Sequence, residues 1–157
     1  MNRRDSAVAD VVQQMGVWFS SLGVPRSAGQ MFGYLLVCDP AEQSAGEIAE
    51  GIGMSRASVS SSARLLLSMN ALEERHKVGD RKTYYRLRTS WWIEMATAKL
   101  SGFEQLATMA RRTRAAGGLT RTDGLEELEA FSDFWSTEIP KLAERWERRR
   151  ETMKEDE

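Results

Sequence analysis

The chain has 157 residues with 22 Lys and Arg against 23 Asp and Glu, so its formal net charge at pH 7 is only −1. Hydrophobic residues at 41% and charged residues at 29% are typical of a globular domain, and a chain of this length can bury a real core. Cys38 is the single cysteine and His76 the single histidine, which excludes an internal disulfide and a Cys-rich metal site, so we expect neither a metal nor a cofactor.

Two apolar helices are predicted at the start of the chain. The first covers residues 5–22 and ends at Gly23, and Pro25 suits the first turn of the second, where its missing N–H costs nothing. Arg26 either reaches a phosphate or is solvated, and Cys38 closes the second helix as a small buried hydrophobe or, alternatively, a redox-sensing thiol. The apolar faces are Val8, Val11, Val12, Met15, Trp18, Phe19 and Leu22, then Ala28, Met31, Phe32, Leu35 and Leu36.

A short helix and a glycine turn come next. Ser44 can accept from the backbone N–H groups of a first turn, and Glu47 follows three residues later, which is the spacing of a capping box. Ile48 and Ile52 are four residues apart and therefore share one buried face. Gly53 ends this helix, because glycine takes the left-handed conformation there without a steric cost.

The next helix, predicted from Arg56 to Met69, has an unusual exposed surface. Its apolar side consists of Val59, Ala63, Leu66 and Leu67. Serines are poor helix formers, but short side chains let a helix enter the major groove of DNA and contact phosphates or base edges. A solvated face without a partner is the alternative. We call the other side the reading face, and it consists of Ser55, Arg56, Ala57, Ser58, Ser60, Ser61 and Arg64.

A hairpin with a basic tip follows this helix. Strand-like runs from Leu72 to Val78 and from Thr83 to Arg88 flank a glycine-containing turn. From Ser55 to Ser90 the chain holds eight Lys and Arg against three Asp and Glu, a local charge of +5. Such a concentration suits a phosphate-facing surface. The basic residues of the hairpin include Lys77, Arg81, Lys82, Arg86 and Arg88.

The spacing of Ala49, Gly53 and Val59, with the basic hairpin after it, resembles the winged-helix domains of the MarR superfamily of transcription regulators. The segments Gly23 to Leu36 and Gly79 to Tyr85 are similar, more narrowly, to the GbsR branch of that superfamily, as is Ser55 to Ser60. The resemblance implies a mainly α fold with a small β-hairpin wing, namely a winged helix-turn-helix plus long C-terminal dimerisation helices. It also implies a repressor that binds a pseudo-palindromic operator as a homodimer.

The resemblance directs attention to the turn of the wing. Many MarR proteins carry Asp-x-Arg there, with the acid orienting an arginine that enters the minor groove. Here Asp80 is followed at once by Arg81, and Lys82 occupies the position of the family's arginine, so either Arg81 or Lys82 is expected to enter the groove. Together with the reading face, the predicted DNA-binding residues are Ser55, Arg56, Ala57, Ser58, Ser60, Ser61, Arg64, Lys77, Arg81 and Lys82.

The last third of the chain is predicted to be helical. Trp91 to Ala116 forms one helix, Gly117 and Gly118 interrupt it, and a second begins near Asp123 and is frayed from Arg148 onward. Pro140 should kink the last helix rather than end it. The first helix has Ile93, Ala96, Leu100, Phe103, Leu106, Ala107 and Ala110 on its apolar side, and the second has an apolar seam of Leu125, Leu128, Phe131, Trp135, Ile139, Leu142 and Trp146.

This seam is longer than one small domain can cover, so it predicts packing against a second copy of the chain. We therefore expect a DNA-binding domain over residues 1–90 and a helical dimerisation region over residues 91–157, with the helix at 5–22 also in the dimer interface. Residues 117–157 carry seven Lys and Arg against twelve Asp and Glu, and this acidic end should point away from DNA.

A small-molecule effector is a further expectation. The MarR resemblance implies ligand binding between the dimerisation helices and the winged domain, and the GbsR resemblance implies a choline-like cation. An aromatic cage would attract such a cation, although core packing explains the same helical spacing. The aromatic residues concerned are Trp18, Phe19, Phe32, Trp91 and Trp92.

Motifs for other functions are absent from the sequence. It contains no phosphate loop of the G-x-x-x-x-G-K type, no G-x-S-x-G elbow and no H-E-x-x-H pair, so we expect no enzyme. A winged-helix module that docks on protein rather than DNA is the alternative to a regulator. Apolar runs are too short to span a bilayer, and the N-terminus lacks the apolar stretch of a signal peptide, which predicts a cytoplasmic protein without membrane contact.

Overall fold

The computed structural model describes residues 3–155, apart from the side chains of residues 3, 4, 99–101, 154 and 155. The mainly α fold with a small β-hairpin is confirmed. None of the described helices is long and apolar enough to cross a membrane. The elements are α1 Arg3–Ser21, α2 Arg26–Val37, β1 Gln43–Ser44, α3 Ala45–Ile52, α4 Arg56–Ser68, β2 Leu72–His76, β3 Thr83–Leu87, α5 Trp91–Ala116 and α6 Asp123–Glu155.

The chain divides into two compact units, Met1–Trp91 and Trp92–Glu157. In the first unit, α1 and α2 cross so closely that their backbones are nearly in contact at Gly29. A Cβ atom added to this glycine would lie 2.7 Å from Phe19 Cβ and 2.9 Å from Gly16 Cα. The missing side chain is therefore what permits the crossing, and it lets the aromatic rings behind it form the core.

That core is built around three aromatic rings. Phe19, Phe32 and Trp91 are fully buried, and their ring centroids lie 4.7–6.0 Å apart. The indole N–H of Trp91 donates to the carbonyl of Met69 at 3.2 Å, so its polar atom is satisfied inside the core. This bond ties the start of α5 to the end of α4.

The helix pair α3 and α4 forms as the capping signals predict. Ser44 and Glu47 make a reciprocal capping box, with Glu47 Oε2 accepting from the Ser44 N–H at 2.7 Å. Gly53 has a φ of +66° and ends α3. Ser55 then caps α4 by accepting from the Ser58 N–H at 3.1 Å. The two helices are thereby joined by a turn of three residues, which is the geometry of a helix-turn-helix.

The sheet contains one strand that the sequence did not reveal. The three strands are antiparallel in the order β1-β3-β2, with Gln43 of β1 opposite Tyr85 of β3 and Leu72 of β2 opposite Leu87. The hairpin strands are also shorter than predicted, because β2 ends at His76. The wing tip therefore covers residues 77–82.

The second unit is a pair of helices. Phe103 of α5 and Phe131 of α6 meet edge to face with centroids 4.9 Å apart. Arg114 bridges the same two helices by donating to Glu129 at 3.0 Å and to Glu126 at 3.0 Å. The side chain of Leu100, predicted on the apolar side of α5, lies outside the described residues. Every residue of the apolar seam keeps some solvent exposure within the protomer.

Three local predictions need correction or comment. Pro25 is the N-cap of α2 with ψ 135°, so the helix begins one residue later than predicted. The last helix is not frayed from residue 148, because α6 continues to Glu155, and ion pairs such as Arg148–Glu144 at 3.9 Å support its last turns. Pro140 lies inside α6 and does not end it, which agrees with the prediction.

Candidate nucleic-acid interface

The reading face of α4 is exposed along its length. Val59, Ala63 and Leu66 are buried on the opposite side, which fixes the rotation of the helix. The face therefore points to solvent because the apolar stripe is anchored in the core. Its members Ser55, Arg56, Ala57, Ser60, Ser61 and Arg64 are exposed, and Ser58 is half-buried.

Two hydroxyl groups of this face already make local bonds. Ser55 Oγ accepts from the Ser58 N–H, and Ser61 Oγ donates to the Ser58 carbonyl at 3.0 Å. A hydroxyl can both donate and accept, so Ser55 keeps its donor and Ser61 keeps its acceptor capacity. The two arginines, Arg56 and Arg64, are the long cationic side chains of the reading face.

Ser62 has a structural role that the sequence did not reveal. This serine is buried, and its Oγ lies 3.1 Å from Ser27 Oγ of α2. The bond holds α4 against α2 from the side opposite the reading face. Its neighbours Ser60 and Ser61 have the same side chain, so only the phase of the helix distinguishes Ser62 from them.

Replacing Ser62 with alanine should lower the free energy of unfolding by about 1 kcal/mol, because Ser27 loses its buried partner. DNA affinity should stay unchanged. The matched variant Ser60→Ala should leave stability within about 0.5 kcal/mol, since it removes an exposed hydroxyl. Urea unfolding followed by circular dichroism measures both. Equal stability of the two variants would show that the Ser27–Ser62 bond contributes nothing.

The wing tip is held by Asp80, which makes no pair with an arginine among the side chains that the structure describes. Its carboxylate accepts from the Tyr84 hydroxyl at 2.7 Å and from the Lys82 N–H at 2.9 Å. Its own N–H donates to the Lys77 carbonyl at 3.0 Å, and Lys77 Nζ lies 3.9 Å from the centroid of the Tyr84 ring. Asp80 thus shapes the turn that presents Arg81 and Lys82, both of which are exposed.

These bonds also set the charge state of the turn. The hydrogen bond from Tyr84 lowers the pKa of Asp80 below its usual value, and the same bond raises the pKa of Tyr84. Because the carboxyl pKa is depressed, the bonded turn is fully present above the ordinary Asp pKa of about 3.9 and is lost as pH falls through the lower folded value. The carboxylate that holds the tip is therefore ionised at neutral pH.

Between the reading face and the wing lies an open cavity of about 500 Å³. Arg56 of α4 and Lys82 of the wing tip line it together with Glu47 and Glu50 of α3. The capping bond with Ser44 lowers the pKa of Glu47, so this acid stays ionised beside the two cations. Basic groups from two separate elements are thereby brought to one surface.

The arginines at the base of the hairpin are already engaged. Arg86 lies 4.0 Å from both Glu42 and Glu73, and Arg88 donates to the side-chain oxygen of Asn70 at 2.6 Å. Arg75 also donates to Glu73 at 3.0 Å, so three of the eight basic residues counted in this region are paired or oriented by these contacts. The exposed positive charge is consequently concentrated on α4 and the wing tip.

Of the five aromatic residues suggested for a ligand cage, three are buried in the core and two are at least partly exposed. Phe19, Phe32 and Trp91 use their ring faces on one another in the buried core. Trp18 meets Phe19 edge to face at 5.3 Å, and Trp92, which is 39% exposed, belongs to the second unit. The core-packing interpretation accounts for the three buried rings. Among the described residues, no group of His, Cys, Asp or Glu is placed to hold a metal ion.

Comparison with known proteins gives a consistent picture. No family model matches the chain. The HTH-type transcriptional regulator MmpR5 of Mycobacterium tuberculosis is 35% identical over 103 residues, which is 66% of this chain and 62% of that protein. The chain thus matches less than two thirds of the length of this curated relative. It is similar to transcriptional regulators.

Two solved structures are also similar. The crystal structure of a transcriptional regulator has a TM-score of 0.73 and 28% identity, and the match covers 90% of this chain and 99% of that one. A MepR mutant of Staphylococcus aureus bound to an oligodeoxyribonucleotide has a TM-score of 0.43 and 19% identity over 87% of this chain and 91% of that one. The first of these shares the fold of this chain over most of its length.

Proposed function

We propose that this protein is a DNA-binding transcriptional regulator of the MarR superfamily, in its GbsR-like branch, and that it acts as a repressor. The observation that carries the proposal is the exposed reading face of α4 beside the basic wing tip. Helix α4 is narrow enough to enter the major groove, and the wing tip carries cations on a hairpin that can lie along the phosphate backbone of DNA. The relatives named as transcriptional regulators support the same function.

The side chains of α4 and those of the wing tip suit different contacts with DNA. Small residues such as Ala57 and Ser60 allow the helix axis to approach the base edges, while Arg64 is long enough to donate to two acceptors of a guanine. Arg81 and Lys82 of the wing tip are placed to neutralise phosphates. Affinity should therefore come largely from the wing and specificity from α4.

A homodimer is part of the proposal. The apolar seam of α6 is incompletely covered within the protomer, with Phe131 39% and Leu142 41% exposed, and Phe134 beside it is 58% exposed. Exposed aromatic side chains in such a row favour a protein partner. A second copy of the chain offers the same seam and would place two reading faces on a two-fold axis. Such a dimer reads a pseudo-palindromic site.

The direct test is a fluorescence-anisotropy titration with DNA from upstream of the protein's own gene. Affinity should fall steeply between about 50 and 200 mM salt, and a scrambled duplex should bind far more weakly than the natural one. A footprint should show two protected half-sites about one helical turn apart. A protein without salt-dependent DNA affinity would contradict the proposal and favour the alternative, docking on protein.

The wing tip makes a separate prediction. Arg81→Ala and Lys82→Ala should each flatten the plot of log affinity against log salt by about one unit, because each cation neutralises one phosphate. Both changes should weaken natural and scrambled DNA alike. The matched control is Lys141→Ala, which removes a cation paired with Glu138 at 2.8 Å in the second unit. Slopes that stay at the wild-type value in both wing variants would remove the tip from the interface.

A further inference from the structure

The rotation of α4 about its own axis decides which side chains of this helix point straight away from the core. At about 100° per residue, the four buried residues of α4 cluster around one direction. The opposite direction passes, within about 30°, through four exposed residues, which we call the outer line. The buried residues are Val59, Ser62, Ala63 and Leu66, and the outer line consists of Ala57, Ser61, Arg64 and Ser68.

Arg56 stands to one side of the outer line. It is rotated by about 100° from Ala57, and it lines the cavity beside the wing together with Lys82. One of its guanidinium nitrogens lies 4.0 Å from the position that a Cβ atom on Gly46 of α3 would take. A cation at the flank of a groove-bound helix suits a phosphate of the DNA backbone. The base edges are therefore left to the outer line.

Two members of the outer line have side chains that choose between bases. Ala57 presents only a methyl group, and in the major groove only thymine offers a methyl group in return. Arg64 presents several N–H donors, and guanine is the base that offers two acceptors, N7 and O6. Within the part of the chain that the structure describes, the Arg64 guanidinium makes no ion pair or hydrogen bond, so its donors are available.

The two serines of the outer line choose only weakly. The Ser61 hydroxyl donates to the Ser58 carbonyl at 3.0 Å, and the Ser68 hydroxyl donates to the Leu65 carbonyl at 2.7 Å. Each serine consequently keeps only acceptor capacity toward DNA. An acceptor fits the exocyclic amino group of adenine or cytosine, and every base pair offers one of these on one strand or the other. The serines add contacts, and Ala57 and Arg64 carry the sequence preference.

The spacing of these two residues converts into a spacing of bases. Seven residues of α-helix, from Ala57 to Arg64, span about 10 Å along the axis. Base pairs follow one another about every 3.4 Å along B-DNA. A helix lying along the major groove therefore brings the two side chains to positions about three base-pair steps apart.

We propose that each half-site of the bound DNA contains a thymine whose methyl group contacts Ala57 and a guanine read by Arg64, about three base-pair steps apart. The inference rests on the proposed function and names the base pattern that the DNA must carry. It also assigns Arg56 to the backbone and removes it from base recognition.

The test removes single groups from the DNA. Deoxyuridine lacks the methyl group of thymine, and 7-deaza-deoxyguanosine lacks the N7 acceptor of guanine. Each thymine and each guanine of one footprinted half-site is replaced singly, and affinity is measured by fluorescence anisotropy. At the thymine that Ala57 contacts, affinity should fall about fourfold, the effect of one buried methyl group. At the guanine that Arg64 reads, it should fall about threefold to tenfold, since one of two hydrogen bonds is lost.

Protein variants assign each base to its side chain. Ala57→Gly should abolish the loss at the thymine and keep the loss at the guanine, and Arg64→Ala should do the reverse. Each comparison uses two duplexes on one protein, so a change in the folded fraction cancels. The matched controls are Ala115→Gly in the last turn of α5 and Arg112→Ala, both at exposed positions, and both should keep both losses.

The outcomes are distinct. A dependent thymine and guanine about two to four base-pair steps apart support the pattern, given the reach of an arginine, and any other separation overturns it. It is likewise overturned if no thymine depends on Ala57 or no guanine depends on Arg64. Failure of the proposed function is recognisable by itself, because it appears as the absence of salt-dependent affinity or of a footprint on natural DNA, before any analogue is used.

Discussion

Replacing Gly29 with alanine is expected to destabilise the protein by roughly 3 kcal/mol and to lower its melting temperature by about 6–12 °C. The added Cβ would meet the Met15 carbonyl oxygen, Phe19 Cβ and Gly16 Cα. Two of these are backbone atoms and the third is a Cβ atom, so a change of rotamer cannot relieve the contacts. Relief therefore requires α1 and α2 to separate, and that opens the core around Phe19.

The control for this prediction is Gly46→Ala in the same unit. A Cβ atom there would meet Ser44 Oγ at 3.9 Å and an Arg56 guanidinium nitrogen at 4.0 Å, which are ordinary contacts. Alanine also loses less backbone entropy than glycine on folding, so stability should be equal or up to about 1 kcal/mol higher. Thermal unfolding of both variants decides the matter. A Gly29→Ala protein with the melting temperature of the wild type would show that α1 and α2 do not need to approach this closely at Gly29.

Local signals in the sequence predicted the helix-turn-helix well. The capping box of Ser44 and Glu47, the left-handed Gly53 and the cap at Ser55 are each set by residues within one turn of one another. For that reason the bounds of α3 and α4 follow from short-range chemistry. The long apolar periodicities likewise predicted α5 and α6 without knowledge of what they pack against.

Non-local pairings were harder to predict. The two-residue strand β1 exists because Gln43 and Ser44 meet Tyr85 and Tyr84, which are about 40 positions away, and two residues have no periodicity. Ser62 could have been separated from Ser60 by its helical phase, since Val59 and Leu66 lie on the same side. The hydrogen bond that Tyr84 donates to Asp80 could not be predicted without the shape of the turn, because the resemblance to Asp-x-Arg wings directed attention to a basic partner.

A cavity of about 460 Å³ in the first unit, lined by residues of α1, α2 and α3, illustrates the same limit. Its carboxylates, Asp5 and Asp39, are 34 positions apart, and its third wall, at Gly51, is contributed by another helix. Each residue by itself looks like an ordinary solvated acid or a helix glycine. Only the crossing of α1 over α2 brings them together, and this crossing depends on the small residue at Gly29.

Replacing Arg64 with alanine is expected to weaken binding of the natural DNA site by roughly 1–3 kcal/mol, which is about 5- to 150-fold. Arg64 is exposed on the reading face, two turns into α4 and one residue after the buried Ala63 that anchors the helix. A guanidinium at this depth in the major groove can donate two bonds to one guanine. The loss should fall mainly on the natural site, with a much smaller effect on scrambled DNA.

The matched control is Arg112→Ala, which removes the same charge from an exposed position in the second unit. It should leave the difference between natural and scrambled DNA intact, because charge alone acts on every sequence through the phosphates. If Arg64→Ala weakens both duplexes equally, Arg64 contacts a phosphate and specificity resides in the small side chains. If it weakens neither, Arg64 makes no contact with the DNA and does not belong to the DNA-binding surface.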